Sequence, residues 1–489
     1  MKTGDTEKTH WTICIECHGL GKILRGPANK RVRHYKAELT VFELSGSKGT
    51  PPIFPSRNMD ICPHCAATGL ISSSTVTKVD AAHYPNVAII GGGIGGVAFA
   101  VACLHRGIPF TLYERDERFD ARSQGYGLTL QQASKAIEAL GITSLDAGIT
   151  STRHAVHTPD GKIIGEWGIR KWGKKYAGET SRRKNVHIAR QTLRSALLEQ
   201  LDDDASVKWG HTLLGFSENK NGGVDLDFEV DGKRESAKAD LIVGADGIRS
   251  SVREVLIGED TTPLQYLGCI VILGICPLKS LTESTIPLLD SATVFQTVNG
   301  NERIYAMPFD ADTVMWQLSF PMSESEAKIL SAKGAEAMKD EGCRRLQNWH
   351  DPIPQLLAET PESAITGYPV YDRKLLDPSL LQNAGSATLI GDAAHPMSPF
   401  KGQGANQALL DALTLARSIS IECGPDSNWR EEGLRETLLA KFEKDMLART
   451  NSKVLDSAKA IELLHSDAVL YEGDEPRGRG IQLNTRKNK

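Results

Sequence analysis

The most regular hydrophobic pattern in the chain begins at Val87. Val87 to Ile90 are four consecutive apolar residues that lead directly into a cluster of glycines, and a second segment, Phe110 to Tyr113, ends at the acidic Glu114. A short apolar run bounded by turn residues is typical of a strand buried on both faces of a parallel sheet. The pattern therefore predicts strand, glycine turn, helix and strand, the beginning of an α/β domain.

The same stretch also allows a membrane interpretation. Residues 87–104 include no charged side chain over 18 positions, long enough for a transmembrane candidate. Five of these residues are glycines, and each glycine weakens a helix relative to alanine. We therefore expect a turn at this position and no membrane partner.

Helical spacing of apolar residues recurs further along the chain. It predicts helices over residues 131–140, 187–201, 407–419 and 446–465, and the last of these could brace two domains. The apolar segment after Asp240 and the one at residues 388–390 are each expected to be a strand that ends in a turn.

Between residues 262 and 375 the hydrophobic period changes to two. Residues 293–298 and 303–307, joined by an Asn-Gly turn, predict a hairpin. Residues 313–320 alternate so that Val314 and Trp316 share one face while Met315 and Gln317 share the other. The first face should enter a core. The second face is either exposed to solvent or the floor of a ligand cavity.

The first 80 residues have a different character, because they include two C-x-x-C pairs. The pair Cys14 and Cys17 recurs as Cys62 and Cys65, and glycine occurs within four residues after each pair. Four thiolates at this spacing can hold one tetrahedral metal ion, with zinc as the first choice and a rubredoxin-like iron site as the alternative. Between the pairs, residues 32–44 are predicted to be strand-like and residues 45–58 a loop.

Composition excludes several classes of partner. The net charge of −4 gives no general attraction to nucleic acid or to an anionic membrane. The polar first eleven residues lack the apolar segment of a secretory signal, so the expected location is cytoplasmic. Small molecules are the expected partners, and a protein partner of the cysteine module remains open.

The glycines after Val87 carry the chemistry of the first motif. Gly91, Gly93 and Gly96 form G-x-G-x-x-G, in which the first allows a tight turn, the second admits a pyrophosphate and the third permits close packing of the helix. The helix N-terminus then presents free N–H groups to the phosphates, and Glu114 is placed to bind a ribose. The segment therefore predicts a Rossmann-like dinucleotide site.

Two further motifs follow in order. Asp246 and Gly247 form a D-G turn after a strand, and Asp392 belongs to a G-D turn that leads through Pro396 and Pro399 towards a helix. With the glycine motif, they make residues 85–420 resemble the single-component (group A) FAD-dependent aromatic monooxygenases of the p-hydroxybenzoate hydroxylase type. The segments around Glu114 and Asp392 look most like those of the tetracycline-inactivating monooxygenases. The first cysteine pair separately resembles the zinc repeats of DnaJ-type chaperones.

The resemblance implies a domain plan. It comprises a metal-binding module at 1–80, a discontinuous FAD-binding domain at 85–260 and 376–420, and an interleaved substrate-binding β-sheet domain at 261–375. C-terminal helices at 421–472 and a disordered tail at 473–489 would complete the chain.

The resemblance also implies FAD as the cofactor and roles for individual residues. Glycine positions would hold the pyrophosphate, Glu114 the adenosine ribose and Arg115 the adenine side. Arg190 would lie near the flavin, and Asp392 would bind the ribityl chain. The full set of cofactor-binding candidates is Gly91, Gly93, Gly96, Glu114, Arg115, Gly127, Arg190, Asp246, Gly247, Asp392, Gly402 and Gly404.

Only one G-x-G-x-x-G is present, so NAD(P)H is expected as a transient co-substrate. The resemblance implies that O₂ forms a flavin C4a-hydroperoxide that hydroxylates an aromatic or polyketide-like molecule. No catalytic triad is expected, and the flavin-facing loop with Pro396, Pro399 and Gly402 is the candidate reaction environment. His395 is expected to be structural rather than a base. The alternatives are a flavin-dependent reductase or dehydrogenase of the same fold, and an interaction protein that acts through its zinc module.

Overall fold

The chain forms two large sheets with a small cysteine-containing module at the N-terminus. It was analysed as a computed structural model that describes residues 9–27, 29–47, 50–55, 58–121, 126–131, 133–172, 186–201, 206–219, 222–281 and 288–477. The helices are α1 Asn29–Leu44, α2 Ile94–Leu104, α3 Ser134–Glu138, α4 Ile169–Trp172, α5 Arg190–Leu198, α6 Ser251–Ile257, α7 Glu324–Ala332, α8 Ala335–Leu346, α9 Ile353–Ala358, α10 Gly404–Glu422, α11 Trp429–Glu432 and α12 Ala440–Leu464.

The strands within the described ranges belong to six sheets. In chain order they are β1 His10–Ile13, β2 Lys22–Arg25, β3 Asn58–Ile61, β4 Leu70–Ser73, β5 Val87–Ile90, β6 Phe110–Tyr113, β7 Gly127–Leu130, β8 Ile149–Thr150, β9 Arg153–His157, β10 Ile163–Trp167, β11 Val186–Ala189, β12 Val207–Lys208, β13 Thr212–Glu218, β14 Val224–Val230, β15 Lys233–Ala239, β16 Leu241–Gly244, β17 Leu264–Pro277, β18 Thr293–Val298, β19 Arg303–Pro308, β20 Thr313–Pro321, β21 Ile365–Arg373 and β22 Ala387–Leu389.

The predicted α/β fold is confirmed by a parallel sheet of order β12-β6-β5-β16-β22. All four residues of β5 are buried, as are those of β16, because helices cover the sheet. Helices α2 and α10 pack against each other and contribute to the same core. None of the described helices is both long and apolar enough to cross a membrane.

The second large sheet has seven strands in the order β10-β9-β18-β19-β20-β17-β21. Its β18–β19 hairpin confirms the prediction for residues 293–307. Strands β9 and β10 also join it, although the sequence analysis put residues 85–260 in the FAD-binding domain. The reason is that β9 pairs in parallel with β18, a long-range contact that leaves no local signal.

Both faces of the seven-stranded sheet are buried. Val314 and Trp316 enter a core with helices α7 to α9, as predicted. On the other face, Met315 and Gln317 are also buried, so the solvent-exposed alternative for that face is wrong. That face turns towards the parallel-sheet domain, where the Met315 sulfur accepts a hydrogen bond from the Gly127 N–H.

Helix α12 joins the two halves of the molecule. Its first part, with Phe442 and Leu447, packs into the core of the parallel sheet. Its last part places Ile461 and Leu464 against the seven-stranded sheet. The helix predicted for residues 446–465 is therefore confirmed, together with its bracing position.

Several local predictions are corrected. Residues 32–44 form helix α1 rather than a strand, and none of its residues is buried. A helix satisfies its own backbone hydrogen bonds, whereas a strand at this position would need a neighbour. Residues 187–189 belong to β11 because they pair with β7, so the helix begins only at Arg190. Helix α3 is likewise shorter than the predicted 131–140.

The predicted disordered tail is only partly within the described residues. Arg477 is buried and donates hydrogen bonds to the carbonyl oxygens of Ile164 and Tyr471, so the tail begins as ordered chain. Residues 478–489 lie outside the described residues.

Candidate active site

The three motif glycines occupy three different environments. Gly91 has φ +104°, and a Cβ there would lie 2.7 Å from the Ala245 carbonyl oxygen. A Cβ on Gly96 would lie only 1.9 Å from the Gly91 carbonyl oxygen, whereas a Cβ on Gly93 would meet no protein atom within 4 Å. Two glycines are therefore required by protein packing. Gly93 instead borders open space that a pyrophosphate can enter.

Two helix N-termini lie side by side at this glycine turn. Helix α2 begins after Gly93 and α10 begins after Gln403, and neither receives a hydrogen bond from a capping side chain of the described residues. A Cβ on Gly95 would touch Ala408 at 3.4 Å, so the helices pack together near these ends. Their free N–H groups and positive dipole ends favour an anionic ligand.

The acidic residue at the end of β6 is tied to the glycine turn. Glu114 accepts hydrogen bonds from the Gly92 N–H at 2.6 Å and from the Asp116 N–H at 2.9 Å. A carboxylate has further lone pairs, so ribose binding by Glu114 stays a prediction. Arg115, the next residue, is exposed.

Arg194, which was not identified from the sequence, donates a hydrogen bond to the backbone of this turn. Arg194 is buried, donates from Nε to the Gly92 carbonyl oxygen at 2.6 Å, and stacks over Phe119 and Trp209. It follows Arg190 by one helical turn on α5, and this spacing was the available signal. The leucines of that helix are the more prominent feature of its sequence.

The aspartate of the D-G turn already accepts hydrogen bonds from within the protein. Asp246 accepts hydrogen bonds from the Ser250 hydroxyl and from the Ser251 N–H, at the start of α6. Burial nevertheless raises the pKa of Asp246. Gly247 has φ +84° and no atom near its Cβ position, so its backbone is open to a ligand.

The G-D turn leaves its carboxylate free. Asp392 is half-buried, and no described residue donates a hydrogen bond to it. Burial raises the pKa of Asp392, while the nearby Arg190 charge opposes that rise. Arg190 also donates to the Tyr126 hydroxyl and lies over its ring. Arg190 and Asp392 therefore lie close together, and their expected roles at the flavin and the ribityl chain stay predictions.

The loop from Pro396 to Gly404 is held by a second residue that the sequence did not single out. Asn406 donates to the carbonyl oxygens of Gly402 and Thr129, both at 2.9 Å, and accepts from the Gln131 N–H at 2.9 Å. Gly402 has φ +59°, a left-handed conformation that favours glycine. Asn406 thus links the loop to the end of β7.

Gly127 has a packing role that differs from its expected one. A Cβ there would lie 2.4 Å from the Met307 methyl group, and the Gly127 N–H donates to the Met315 sulfur at 3.0 Å. Gly127 therefore lies close to the seven-stranded sheet, and its expected contact with the cofactor stays a prediction.

His395 is part of a buried network, in keeping with the structural role expected for it. Its Nε2 lies 2.6 Å from a carboxylate oxygen of Asp411, which also accepts the Gly391 N–H at 2.9 Å. Arg449 binds the other oxygen of the same carboxylate. The network fixes the G-D turn rather than presenting a base to the cleft.

The buried second face of the seven-stranded sheet carries polar groups. Along β19 and β20, Arg303 lies opposite Ser319 and Tyr305 lies opposite Gln317. Arg303 donates to Gln296 at 2.9 Å and lies over the rings of Tyr305 and Phe400, the latter from the flavin-facing loop. We call Gln296, Arg303, Tyr305 and Gln317 the polar floor.

Two donors of the polar floor lack partners. Arg303 Nη1 and Gln317 Nε2 are buried without a hydrogen bond to any described residue. Burial lowers the pKa of Arg303 to about 10, which keeps it charged at neutral pH. The sequence placed Gln317 on a possible cavity floor but did not identify Arg303.

The four predicted metal ligands also come together. The sulfur atoms of Cys14, Cys17, Cys62 and Cys65 all lie within 4.8 Å of one another, and all four residues are buried. The Gly21 and Gly69 N–H groups each donate to a cysteine sulfur at 3.2 Å. The two C-x-x-C knuckles therefore place their four sulfur atoms around one position, as the ligands of a single metal ion would be.

The parallel-sheet domain has the features that FAD requires. Uncapped helix N-termini suit its pyrophosphate, and the space at Gly93 allows the pyrophosphate to approach the backbone. The Asp392 carboxylate can accept hydrogen bonds from hydroxyl groups. A buried polar sheet lies across the loop from these groups. This combination defines the class as a flavoprotein with a second, sheet-containing domain beside its cofactor site.

Comparison with known proteins supports the same class. A family model described as FAD binding domain matches residues 84–338 and 382–424. Aurachin C monooxygenase/isomerase from Stigmatella aurantiaca is 31% identical over 339 residues, which cover 69% of this chain and 81% of that protein. 6-Hydroxynicotinate 3-monooxygenase from Pseudomonas fluorescens is 26% identical, covering 80% and 93% respectively.

Solved structures agree on the fold. HpxO from Klebsiella pneumoniae, complexed with FAD and uric acid, superposes with a TM-score of 0.63 at 23% identity, covering 79% of this chain and 90% of that one. 2,6-Dihydroxypyridine-3-hydroxylase from Arthrobacter nicotinovorans gives 0.65 at 18% identity, covering 81% and 98%. The chain belongs to the FAD binding domain family, and it is a single-component FAD-dependent monooxygenase.

Proposed function

We propose that the protein uses NAD(P)H and O₂ to hydroxylate a small aromatic or polyketide-like molecule that carries an anionic oxygen. The observation that carries this proposal is the unpaired Arg303 on the polar floor. No described carboxylate forms an ion pair with it. A buried cation without a counterion is unfavourable, and an anionic substrate would supply the missing partner.

The surroundings of Arg303 suit an aromatic ligand. Tyr305 and Phe400 flank the guanidinium, and Met307 and Met315 extend the same face with polarizable side chains. Gln317 adds an unused amide donor beside them. Two relatives are named for aromatic carboxylates, 6-hydroxynicotinate and 3-amino-4-hydroxybenzoate, which supports this substrate class.

The chain's own contribution to the reaction is binding, orientation and exclusion of water. FAD, when bound, supplies the activation of oxygen and its transfer to the substrate. Gly91, Gly93 and Gly96 would hold the pyrophosphate, and Asp392 the ribityl chain. The uncapped N-terminus of α10 would stabilise negative charge on the reduced flavin ring. Pro396 and Pro399 give the facing loop few N–H donors, which keeps it apolar.

Two histidines close to the G-D turn and the polar floor, His395 and His465, are not available as bases. His395 is held by Asp411, as described above. His465 contacts the Ser319 hydroxyl and the Ile461 carbonyl oxygen, both at 2.9 Å, and burial lowers its pKa to about 4. It is therefore neutral at pH 7 and satisfied on both ring nitrogens. This arrangement supports a mechanism in which the cofactor, not a catalytic triad, performs the chemistry.

The test is a substrate screen on protein reconstituted with FAD. Aromatic carboxylates, phenols and polycyclic polyketides should be compared by the NAD(P)H oxidation they stimulate, and the product should be analysed after reaction under ¹⁸O₂. We expect anionic aromatics to stimulate most and one ¹⁸O atom to enter the product. A product without ¹⁸O would instead indicate the reductase or dehydrogenase alternative. Protein that takes up no flavin would contradict both.

We also propose that the N-terminal module is a contact surface for a second copy of this chain. Leu24 and Met59 lie opposite each other in the β2–β3 pair and are 55% and 52% exposed, with Ile61 beside them at 58%. An exposed apolar group of this kind is a common feature of contact surfaces. Leu24→Glu should abolish association seen by light scattering while hydroxylation continues. Wild-type protein that is monomeric at all concentrations would oppose self-association.

A further inference from the structure

Two arginines lie between the cysteine module and the FAD-binding domain. Arg106, just after α2, is 3% exposed and donates to the carbonyl oxygens of Ala102 and Gly19 at 2.9 and 3.3 Å. Arg417, on α10, donates to Gly19 at 3.1 Å and to Thr68 at 3.0 Å. Both guanidinium groups therefore share one carbonyl oxygen, and together they contact both cysteine knuckles.

These two positive charges lack a carboxylate partner among the described residues. Among the described residues, each arginine bonds only to carbonyl oxygens, and the buried Nε of Arg106 has no hydrogen-bond partner. Two like charges placed together away from water are costly unless an anion compensates them. The ends of α2 and α10 nearby contribute only partial negative charge.

The cysteine cluster can provide the missing charge. Four thiolates around a divalent ion carry a net charge of −2, which the two guanidinium groups would neutralise. The backbone N–H groups of Gly21 and Gly69 already point at two of the sulfur atoms, as they do around metal-bound thiolates. Two disulfides or four neutral thiols would leave both arginines uncompensated, so the charges favour a metal.

We propose that Cys14, Cys17, Cys62 and Cys65 bind one structural Zn²⁺ ion, and that Arg106 and Arg417 neutralise this tetrathiolate and fasten it to the FAD-binding domain. Arg106 and Arg417 are positioning residues in this assembly, because they do not touch the metal. The zinc site thereby holds the C-terminal parts of α2 and α10, the two helices whose N-termini meet at the glycine turn.

The first experiment measures metal in the purified holoprotein. Inductively coupled plasma mass spectrometry should find one zinc per chain, and Cys14→Ser should lose it. Replacement by Co²⁺ should give tetrahedral d–d bands at wavelengths longer than flavin absorbs. Stoichiometric iron, or the absence of any bound divalent metal, would overturn the proposal.

The second experiment tests the arginines through metal affinity, measured by competition with a chelator. Arg417→Met should weaken zinc binding by roughly 10- to 100-fold, the usual effect of losing a group that supports metal ligands. Arg430→Met is the matched control, because Arg430 is exposed and donates to the Ala82 carbonyl oxygen away from the cluster. Equal zinc affinity in both variants and wild type would refute the role of Arg417. Arg417 is only partly buried, so its variant is expected to fold even if Arg106→Met does not.

Discussion

The Arg303→Met variant tests whether Arg303 binds the substrate or stabilises the fold. The replacement removes the charge and keeps a side chain of similar length at a position that is 6% exposed. If Arg303 binds an anionic substrate, losing one partner of a buried charge pair costs about 2–5 kcal/mol. At about 3 kcal/mol, the apparent substrate affinity falls roughly 100-fold. A neutral analogue of the same ring should lose much less.

For the same substitution we expect little loss of thermal stability, in contrast to the large loss of substrate affinity. Burial lowers the pKa of Arg303 from 12.5 to about 10, which corresponds to about 3 kcal/mol against the charged form. The charge-assisted hydrogen bond to Gln296 returns about 1.5–3 kcal/mol, and the two ring contacts return about 0.5–2 kcal/mol each. Because these contributions roughly cancel the burial cost, Arg303→Met should unfold at nearly the same temperature as wild type.

The assay combines steady-state kinetics of substrate-stimulated NAD(P)H oxidation with thermal unfolding of the FAD-loaded protein. Arg345→Met is the control from the other side of the sheet, because Arg345 lies over Phe320 and pairs with Glu302 and Glu341. It should lower the unfolding temperature and leave KM unchanged. The reasoning is refuted if Arg303→Met lowers the unfolding temperature while KM for the anionic substrate stays the same.

Two further predictions concern the FAD-binding half, and a third concerns the pH dependence of Asp372, a buried residue of β21 in the seven-stranded sheet. Gly96→Ala should unfold the domain, because its Cβ would meet the Gly91 carbonyl oxygen, whereas Gly93→Ala should fold with normal circular dichroism and lose FAD in a fluorescence titration. Asp392→Asn should weaken FAD binding without lowering apoprotein stability, since burial already disfavours its charge; stronger FAD binding would contradict the ribityl assignment. Burial raises the pKa of Asp372 to about 6, so its stabilising contribution is complete below about pH 4 and lost as the pH rises through 6. Asp372→Asn should therefore raise the unfolding free energy by up to about 3 kcal/mol at pH 7.5 and change little at pH 4, as measured by denaturant titration.

Local constraints explain which parts of the site could be read from the sequence. Gly91 and Gly96 are required by contacts within the turn itself and with the neighbouring strand, so their spacing alone carries the information. The four cysteines are similar, because a C-x-x-C knuckle is a local structure and only the pairing of two knuckles is long-range. Predictions for residues 32–44 and 187–189 failed for the opposite reason. There the choice between helix and strand depended on whether a distant partner strand was present.

The amino-acid sequence by itself determined the cofactor class, the order of the motifs and the four candidate metal ligands. Tertiary structure decided what those motifs face. It buried the second face of β20 and placed Arg303 beside Phe400, and it brought Arg106 and Arg417 to one carbonyl oxygen. The physical reason is that the energy and the role of a buried charge depend on the groups around it. Here those groups come from segments far apart in the chain.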